Sequence, residues 1–197
     1  MNRVLFYFDV VCPYAYLGST QIEEVCRRTG AALTWRPMLL GGVFNAIGRK
    51  DVSPPPAKVK AGLEDLQRWA RRWGVPLEMP PGHPRRTVDA MRLCVAAGER
   101  VADVARDLYR AYWVEGRDVS DKAVVAEIAR AQGIDAGRVD AAEVKEELRR
   151  NTEEAVAAGV FGAPSFLVTN PHGSFLFWGQ DRLHFVEKAL GGWRVPL

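Results

Sequence analysis

Residues 4–17 read VLFYFDVVCPYAYL and decide the fold class. The first five residues are apolar and rich in aromatic and β-branched types, and the run is too short for a helix, so it predicts a buried strand. Pro13 suits the first turn of a helix, where its missing N–H costs no hydrogen bond. Apolar residues then recur at helical spacing until Gly30. This stretch therefore predicts a strand followed directly by a helix, with Cys12 at the junction.

The residues after this stretch extend it to a β-α-β unit. Residues 32–36 alternate between apolar and polar types and end at Pro37, which predicts a second strand. A strand, a helix and a second strand in so short a segment favour a right-handed crossover with parallel strands.

The middle of the chain changes character. Residues 39–56 are rich in glycine and contain three consecutive prolines, which predicts a loop that covers a site. Helical periodicity then predicts five helices, with Ser120 as an N-cap and Gly133 and Gly159 as C-terminal stops. Their predicted ranges are 58–73, 86–97, 101–114, 121–132 and 141–158.

The last third returns to strands. Residues 165–168 and 174–178 are β-rich, and the turn types between them predict an antiparallel hairpin, followed by a helix over 181–190. The order of elements predicts an α/β protein, a thioredoxin-like fold with an inserted all-helical domain. Residues 1–40 and 160–197 would form the thioredoxin-like domain, and residues 41–159 the loop and the helical insertion.

Composition excludes several classes of function. The 197 residues are 48% hydrophobic with a formal charge of +3, and acidic residues lie beside the basic ones throughout, so nucleic acid is not an expected partner. The sequence has neither a long apolar run nor a secretory signal pattern, so we expect no membrane association and a cytoplasmic location. The three cysteines are widely spaced, which favours neither a disulfide framework nor a metal site.

Cys12 is the candidate catalytic residue. A cysteine just before a helix faces the free N–H groups and the positive dipole end of that helix, which favours its thiolate. The alternative is a small buried apolar residue, which we expect for Cys26 and Cys94 within apolar helical stripes. Ala15 occupies the position of the second cysteine in a Cys-x-x-Cys motif, so dithiol exchange is disfavoured and a monothiol site stays open.

Two later segments carry polar or backbone groups that suit a ligand. A cis bond between Ala163 and Pro164 would leave the backbone of Ala163 available to a peptide-like ligand, and the alternative is a trans proline at a strand edge. Asp181 begins the last predicted helix, where it can serve as an N-cap, bind the ammonium group of a ligand, or do both.

Three segments together resemble a known family. FDVVCPYAYL at 8–17, GVFGAPSF at 159–166 and WGQDRL at 178–183 resemble the bacterial 2-hydroxychromene-2-carboxylate isomerases and the related kappa-class glutathione transferases. The likeness covers nearly the whole chain. It implies a glutathione-dependent, homodimeric enzyme of the DsbA-like branch. By this resemblance Ala163 and Pro164 would hold the cysteinyl part of glutathione, and Gln180 and Asp181 its γ-glutamyl end.

The chain departs from the family at several positions. The family generally has serine at the position of Cys12, so this residue either activates glutathione or is itself the nucleophile. Arg49 and Arg86 lie where the family commonly has asparagine, and an arginine can bind a carboxylate of glutathione or of the substrate. Arg49 and Lys58 are assigned to glutathione, and Lys58 has a solvated helix-start lysine as its alternative. The substrate pocket is assigned to Tyr14, Phe44 and Arg86, and the two aromatic rings have core packing as their alternative.

The expected function follows from this resemblance. It is the isomerisation of a small aromatic substrate like 2-hydroxychromene-2-carboxylate to its trans-benzylidenepyruvate form, by reversible addition of a thiolate. The alternatives are a monothiol glutathione transferase, a thiol-disulfide oxidoreductase, and a non-enzymatic binding module that would tolerate loss of Cys12.

Overall fold

The computed structural model describes residues 2–49 and 55–196. The strands are β1 (Arg3–Phe8), β2 (Ala32–Pro37), β3 (Ser165–Asn170) and β4 (Gly173–Trp178). The helices are α1 (Pro13–Thr29), α2 (Leu40–Ala46), α3 (Pro56–Trp73), α4 (Val88–Ala96), α5 (Val101–Trp113), α6 (Lys122–Ala131), α7 (Ala142–Ala157) and α8 (Leu183–Leu190). Three 3₁₀ turns, at Gly98–Arg100, Ala136–Asp140 and Gln180–Arg182, lie between them.

The four strands form one sheet in the order β2-β1-β3-β4. Strand β1 pairs parallel with β2 and antiparallel with β3, and β4 is antiparallel to β3. Helix α1 makes the crossover between the parallel strands and packs against α8. The predicted β-α-β unit, the hairpin and the thioredoxin-like fold with its helical insertion are therefore confirmed.

The helical insertion packs onto the sheet. Helices α4 to α7 contact one another, and α7 also contacts β2. One continuous group of buried apolar side chains includes residues of the sheet, such as Phe6 and Phe166, and residues of the insertion, such as Leu108 and Trp113. The division into two domains stays a prediction.

The prediction of a loop over 39–56 is wrong for its first part, where the structure has helix α2. Gly41 and Gly42 are poor helix formers, so the sequence favours no helix there. Tertiary contacts supply what the local sequence lacks, because the N–H of Leu40 donates to Asp9 Oδ2 at 2.9 Å and the N–H of Leu39 donates to Thr152 Oγ1 at 3.1 Å. Pro54, the first of the three consecutive prolines, lies outside the described residues.

Two helix starts also differ from the prediction. Asp121 rather than Ser120 caps α6, since its Oδ1 accepts from the N–H of Ala123 at 2.8 Å, whereas Ser120 donates to Asp118. Helix α8 begins at Leu183 rather than at Asp181, because the preceding residues form a 3₁₀ turn. Within the described part of the chain, no helix combines the length and apolar character that a membrane span requires.

Candidate active site

Cys12 lies where β1 ends and α1 begins. It is the N-cap residue of α1, with an extended backbone, and the residue is 8% exposed. Its Sγ donates to the carbonyl oxygen of Ala163 at 3.1 Å, although the two residues are 151 positions apart in the sequence. The Ala163–Pro164 bond is cis, as predicted. The fold therefore brings the cysteine and the proline loop into contact.

The expectation that the helix start keeps Cys12 as a thiolate is wrong. Burial raises the pKa of the Cys12 thiol to about 12. The N–H groups of Ala15 and Tyr14 lower the pKa, as expected at a helix start, but desolvation outweighs them. The nearby carboxylate of Asp9 raises the pKa further. The thiol is therefore protonated at neutral pH.

One cavity on the Ala163 side of the cysteine, called the Ala163 groove below, has a volume of about 420 Å³. Its lining residues are Tyr14, Asp65, Trp69, Ala163, Trp178, Gly179, Gln180, Asp181 and Arg182. Three residues predicted to hold glutathione thus line one groove. Tyr14, predicted for the substrate pocket, lies here too, and its hydroxyl donates to Asp65 Oδ2 at 3.1 Å.

Asp181 does not cap the last helix. Its side chain makes no capping hydrogen bond and instead pairs with Arg182, with 2.6 Å between Asp181 Oδ2 and Arg182 Nη1. The capping role considered for Asp181 is therefore wrong. Asp181 nevertheless lies in the wall of the Ala163 groove.

A second cavity, called the Phe44 pocket below, has a volume of about 580 Å³ and contains Cys12 in its wall. Most of its lining is apolar or glycine, with Asp9, His83, Arg85, Arg86 and Thr87 as the polar exceptions. Two residues predicted for the substrate pocket, Phe44 and Arg86, therefore share this cavity with the cysteine.

The other two basic residues predicted for the site, Arg49 and Lys58, lie in different places. The guanidinium of Arg49 lies 4.0 Å from the centre of the Phe44 ring, a cation–π contact, so Arg49 lies beside the Phe44 pocket. Lys58 lies in the exposed first turn of α3, and among the described residues it lines neither cavity.

Sequence reasoning missed Asp9 as a site residue. The residue is 2% exposed. Its Oδ1 accepts from Thr87 Oγ1 at 2.8 Å and from the N–H of Val11 at 3.2 Å, while Oδ2 accepts from the N–H of Leu40. Burial raises the pKa of Asp9, and these three hydrogen bonds oppose the rise. Asp9 thus joins β1, α2 and the start of α4 around the pocket. The sequence feature that could have predicted Asp9 as a site residue is its position directly after a buried strand.

His83 was also missed. Its ring lines the Phe44 pocket and its Nδ1 lies 2.9 Å from the hydroxyl of Tyr112. Arg86 was the only site residue predicted in this segment, because a single histidine in a proline-rich loop has no distinctive spacing.

The DSBA-like thioredoxin domain family matches residues 3–191, which is nearly the whole chain. The chain belongs to the DsbA-like family. Within the family, this DsbA-like protein is 30% identical to a 2-hydroxychromene-2-carboxylate isomerase of Sphingobium xenophagum, over 94% of this chain and 96% of that protein. It is 32% identical to glutathione S-transferase kappa 2 of Caenorhabditis elegans, over 95% of this chain and 91% of that protein.

The fold of this DsbA-like protein agrees with the sequence relationship. A solved 2-hydroxychromene-2-carboxylate isomerase superposes with a TM-score of 0.81 at 26% identity, covering 96% of this chain and 95% of that chain. The resemblance inferred from the three sequence segments is confirmed. The relatives are isomerases and transferases, which groups this DsbA-like chain with enzymes.

Proposed function

We propose that this protein is a glutathione-dependent cis-trans isomerase of small aromatic compounds like 2-hydroxychromene-2-carboxylate. The observation that carries the proposal is the position of Cys12, which contacts Ala163 of one cavity and forms part of the wall of the other. A thiol bound in the first cavity would then meet a substrate in the second. The similarity to the isomerases supports this reading.

The Ala163 groove has groups that fit glutathione. The backbone of Ala163 beside a cis proline suits a peptide, and the carboxylate of Asp181 with the amide of Gln180 suits an α-ammonium group at the far end. When bound, glutathione supplies a thiolate that adds reversibly to the conjugated double bond of the ring-opened substrate. We propose these three residues as its main contacts, and Lys58, which is exposed in the first turn of α3, as a further contact.

Cys12 acts in this proposal as a hydrogen-bond donor rather than as the nucleophile. With the pKa of its thiol raised to about 12, Cys12 is protonated at pH 7. In this structure the S–H donates to the carbonyl oxygen of Ala163, and it would turn from there to the bound sulfur, while the N–H groups of Tyr14 and Ala15 lower the pKa of the same thiol. The helix start thus offers several donors to a thiolate held beside Cys12.

The Phe44 pocket suits a planar aromatic carboxylate. Its apolar lining would bury the aromatic ring against Phe44, and Arg86 offers a guanidinium to the carboxylate. Arg49 extends this positive region over the outer face of Phe44. We therefore assign Arg49 to the substrate side rather than to glutathione.

A monothiol glutathione transferase is the second candidate, because the kappa-class relative is as similar to this chain as the isomerase is. It would use the same groove and the same sulfur position with an electrophile in the Phe44 pocket. A dithiol oxidoreductase is disfavoured, since Ala15 occupies the position of a resolving cysteine. We also propose that the protein is a homodimer located in the cytoplasm, and this part of the proposal rests on the family resemblance alone.

The test measures absorbance change on 2-hydroxychromene-2-carboxylate with and without glutathione. We expect turnover only with glutathione, activity retained in Cys12→Ser because a hydroxyl also donates, and activity reduced about 10²-fold or more in Cys12→Ala. Cys26→Ser is the matched control, since this second buried thiol of α1 lines neither cavity. Turnover without glutathione that disappears in Cys12→Ser would overturn the proposal in favour of a cysteine nucleophile. Conjugation of electrophiles without isomerisation would favour the transferase.

A further inference from the structure

The Phe44 pocket contains a histidine whose ring is hydrogen-bonded to Tyr112 and packs against Trp113. The ring of His83 is half-buried, with its centre 5.1 Å from that of Trp113. The hydroxyl of Tyr112 lies 2.9 Å from His83 Nδ1 and also accepts the backbone N–H of Arg85 at 3.1 Å. With Nδ1 engaged by Tyr112, Nε2 is the ring nitrogen left for exchange with a ligand, whichever tautomer is present.

The other ionisable groups of the pocket are less suited to proton transfer. Asp9 is almost fully buried and its two oxygens already accept three hydrogen bonds. The thiol of Cys12 is assigned to the sulfur of glutathione, and the guanidinium groups of Arg85 and Arg86 carry hydrogen-bond donors but no acceptor atom. His83 is left as the side chain that can both accept and donate a proton.

We propose that His83 is a catalytic residue that transfers a proton during opening of the substrate ring in the Phe44 pocket. The inference rests on the proposed function, because 2-hydroxychromene-2-carboxylate is a cyclic hemiketal that must open before its double bond can isomerise. His83 Nε2 takes the proton of the C2 hydroxyl, whose oxygen becomes the ketone oxygen as the C2–O1 bond breaks. The electron pair of that bond passes to the phenolic oxygen, which receives the proton from His83. No other reactant is consumed.

The surroundings keep the imidazole in its neutral form. Tyr112 and Trp113 face the ring from α5, Arg85 and Arg86 flank it in its own loop, and Asp9 and Cys12 lie in the wall of the same pocket. Asp118 pairs with Arg85, which offsets that positive charge. Burial lowers the pKa of His83, so the neutral imidazole predominates at pH 7 and above. Tyr112 is the positioning residue in this scheme.

The experiment isolates ring opening from thiol chemistry. Exchange between the closed hemiketal and the open cis ketone is followed by NMR magnetisation transfer with the intact protein and no glutathione. We expect the parent chain to accelerate the exchange. In His83→Gln the acceleration should be about 10²-fold smaller. The acceleration should decrease at acid pH as the imidazole becomes protonated, and this acid limb should be absent in His83→Gln. Tyr112→Phe should retain an acid limb at an altered pH with a smaller acceleration.

His172→Gln is the matched control, because this exposed histidine lies in the β3–β4 turn and lines neither cavity. Equal acceleration and an unchanged pH profile in His83→Gln would overturn the role of His83. Circular dichroism of each variant shows whether a loss reflects unfolding, and an unfolded His83→Gln is replaced by His83→Asn. If exchange is accelerated by the parent but glutathione gives no trans product, the proposed isomerase function fails while the role of His83 stands.

Discussion

Replacing Asp9 by asparagine tests whether this buried carboxylate holds the wall of the Phe44 pocket together. An asparagine can place its carbonyl oxygen at the position of Oδ1 and keep the bonds from Thr87 and Val11. Its NH₂ group then faces the N–H of Leu40, which the carboxylate accepts at 2.9 Å. One hydrogen bond at the start of α2 is lost, and its donor is left facing another donor.

The expected cost follows from that lost bond. Leaving a partly buried N–H without an acceptor costs about 1–3 kcal/mol, so we expect the free energy of unfolding at pH 5 to decrease by about 2 kcal/mol. For a chain of this size, that corresponds to a decrease of about 4–8 °C in Tm.

The cost should decrease as the pH rises. Burial raises the pKa of Asp9 above its ordinary value of 3.8. A carboxyl whose pKa is raised on folding stabilises the fold fully below its unfolded pKa, and this contribution is lost as the pH rises through the folded pKa. Asparagine has no such dependence. The difference in stability between the parent and Asp9→Asn should therefore be larger at pH 5 than at pH 8.

Urea unfolding at both pH values measures the difference, and Thr87→Val provides the matched control. The Thr87 hydroxyl lowers the pKa of Asp9, so its bond favours the ionised carboxylate, and the cost of Thr87→Val should be larger at pH 8 than at pH 5. The stability cost of Asp9→Asn should thus decrease with rising pH, whereas that of Thr87→Val should increase. Equal costs at both pH values for Asp9→Asn, or a larger cost at pH 8, would refute the reasoning.

Two further predictions concern the site. In Gly162→Ala the added Cβ would lie 2.6 Å from Trp178 Nε1, so the indole must move within the Ala163 groove, and we expect calorimetric titration to show an affinity for glutathione at least about fivefold weaker. Gly62→Ala, where nothing lies within 4 Å of the added Cβ, should leave the affinity unchanged. Because the pKa of Cys12 is raised to about 12, its alkylation by iodoacetamide, measured by mass spectrometry, should be slow at pH 7 and accelerate about tenfold per pH unit up to pH 9. A rate that is already constant over that range would indicate a thiolate and contradict the assignment of Cys12 as a donor.

Local sequence was sufficient for the elements that depend on periodicity. The aromatic run before Asp9 and the helical spacing after Pro13 predicted β1 and α1, and the turn types between residues 170 and 173 predicted the hairpin. Helix α2 was not predictable in this way, because the hydrogen bonds that begin it come from Asp9 and Thr152, which are distant in the sequence.

The sequence by itself determined the thioredoxin-like class, the cysteine at a helix start and the cis proline loop, since each leaves a pattern within a few neighbouring residues. Only the tertiary structure decided that the Cys12 thiol stays protonated and that Arg49 lies against Phe44. It also placed His83 and Asp9 in the wall of one pocket. The physical reason is that a pKa depends on desolvation and on surrounding charges, and a pocket depends on which distant segments pack together. Neither quantity is a property of a short stretch of chain.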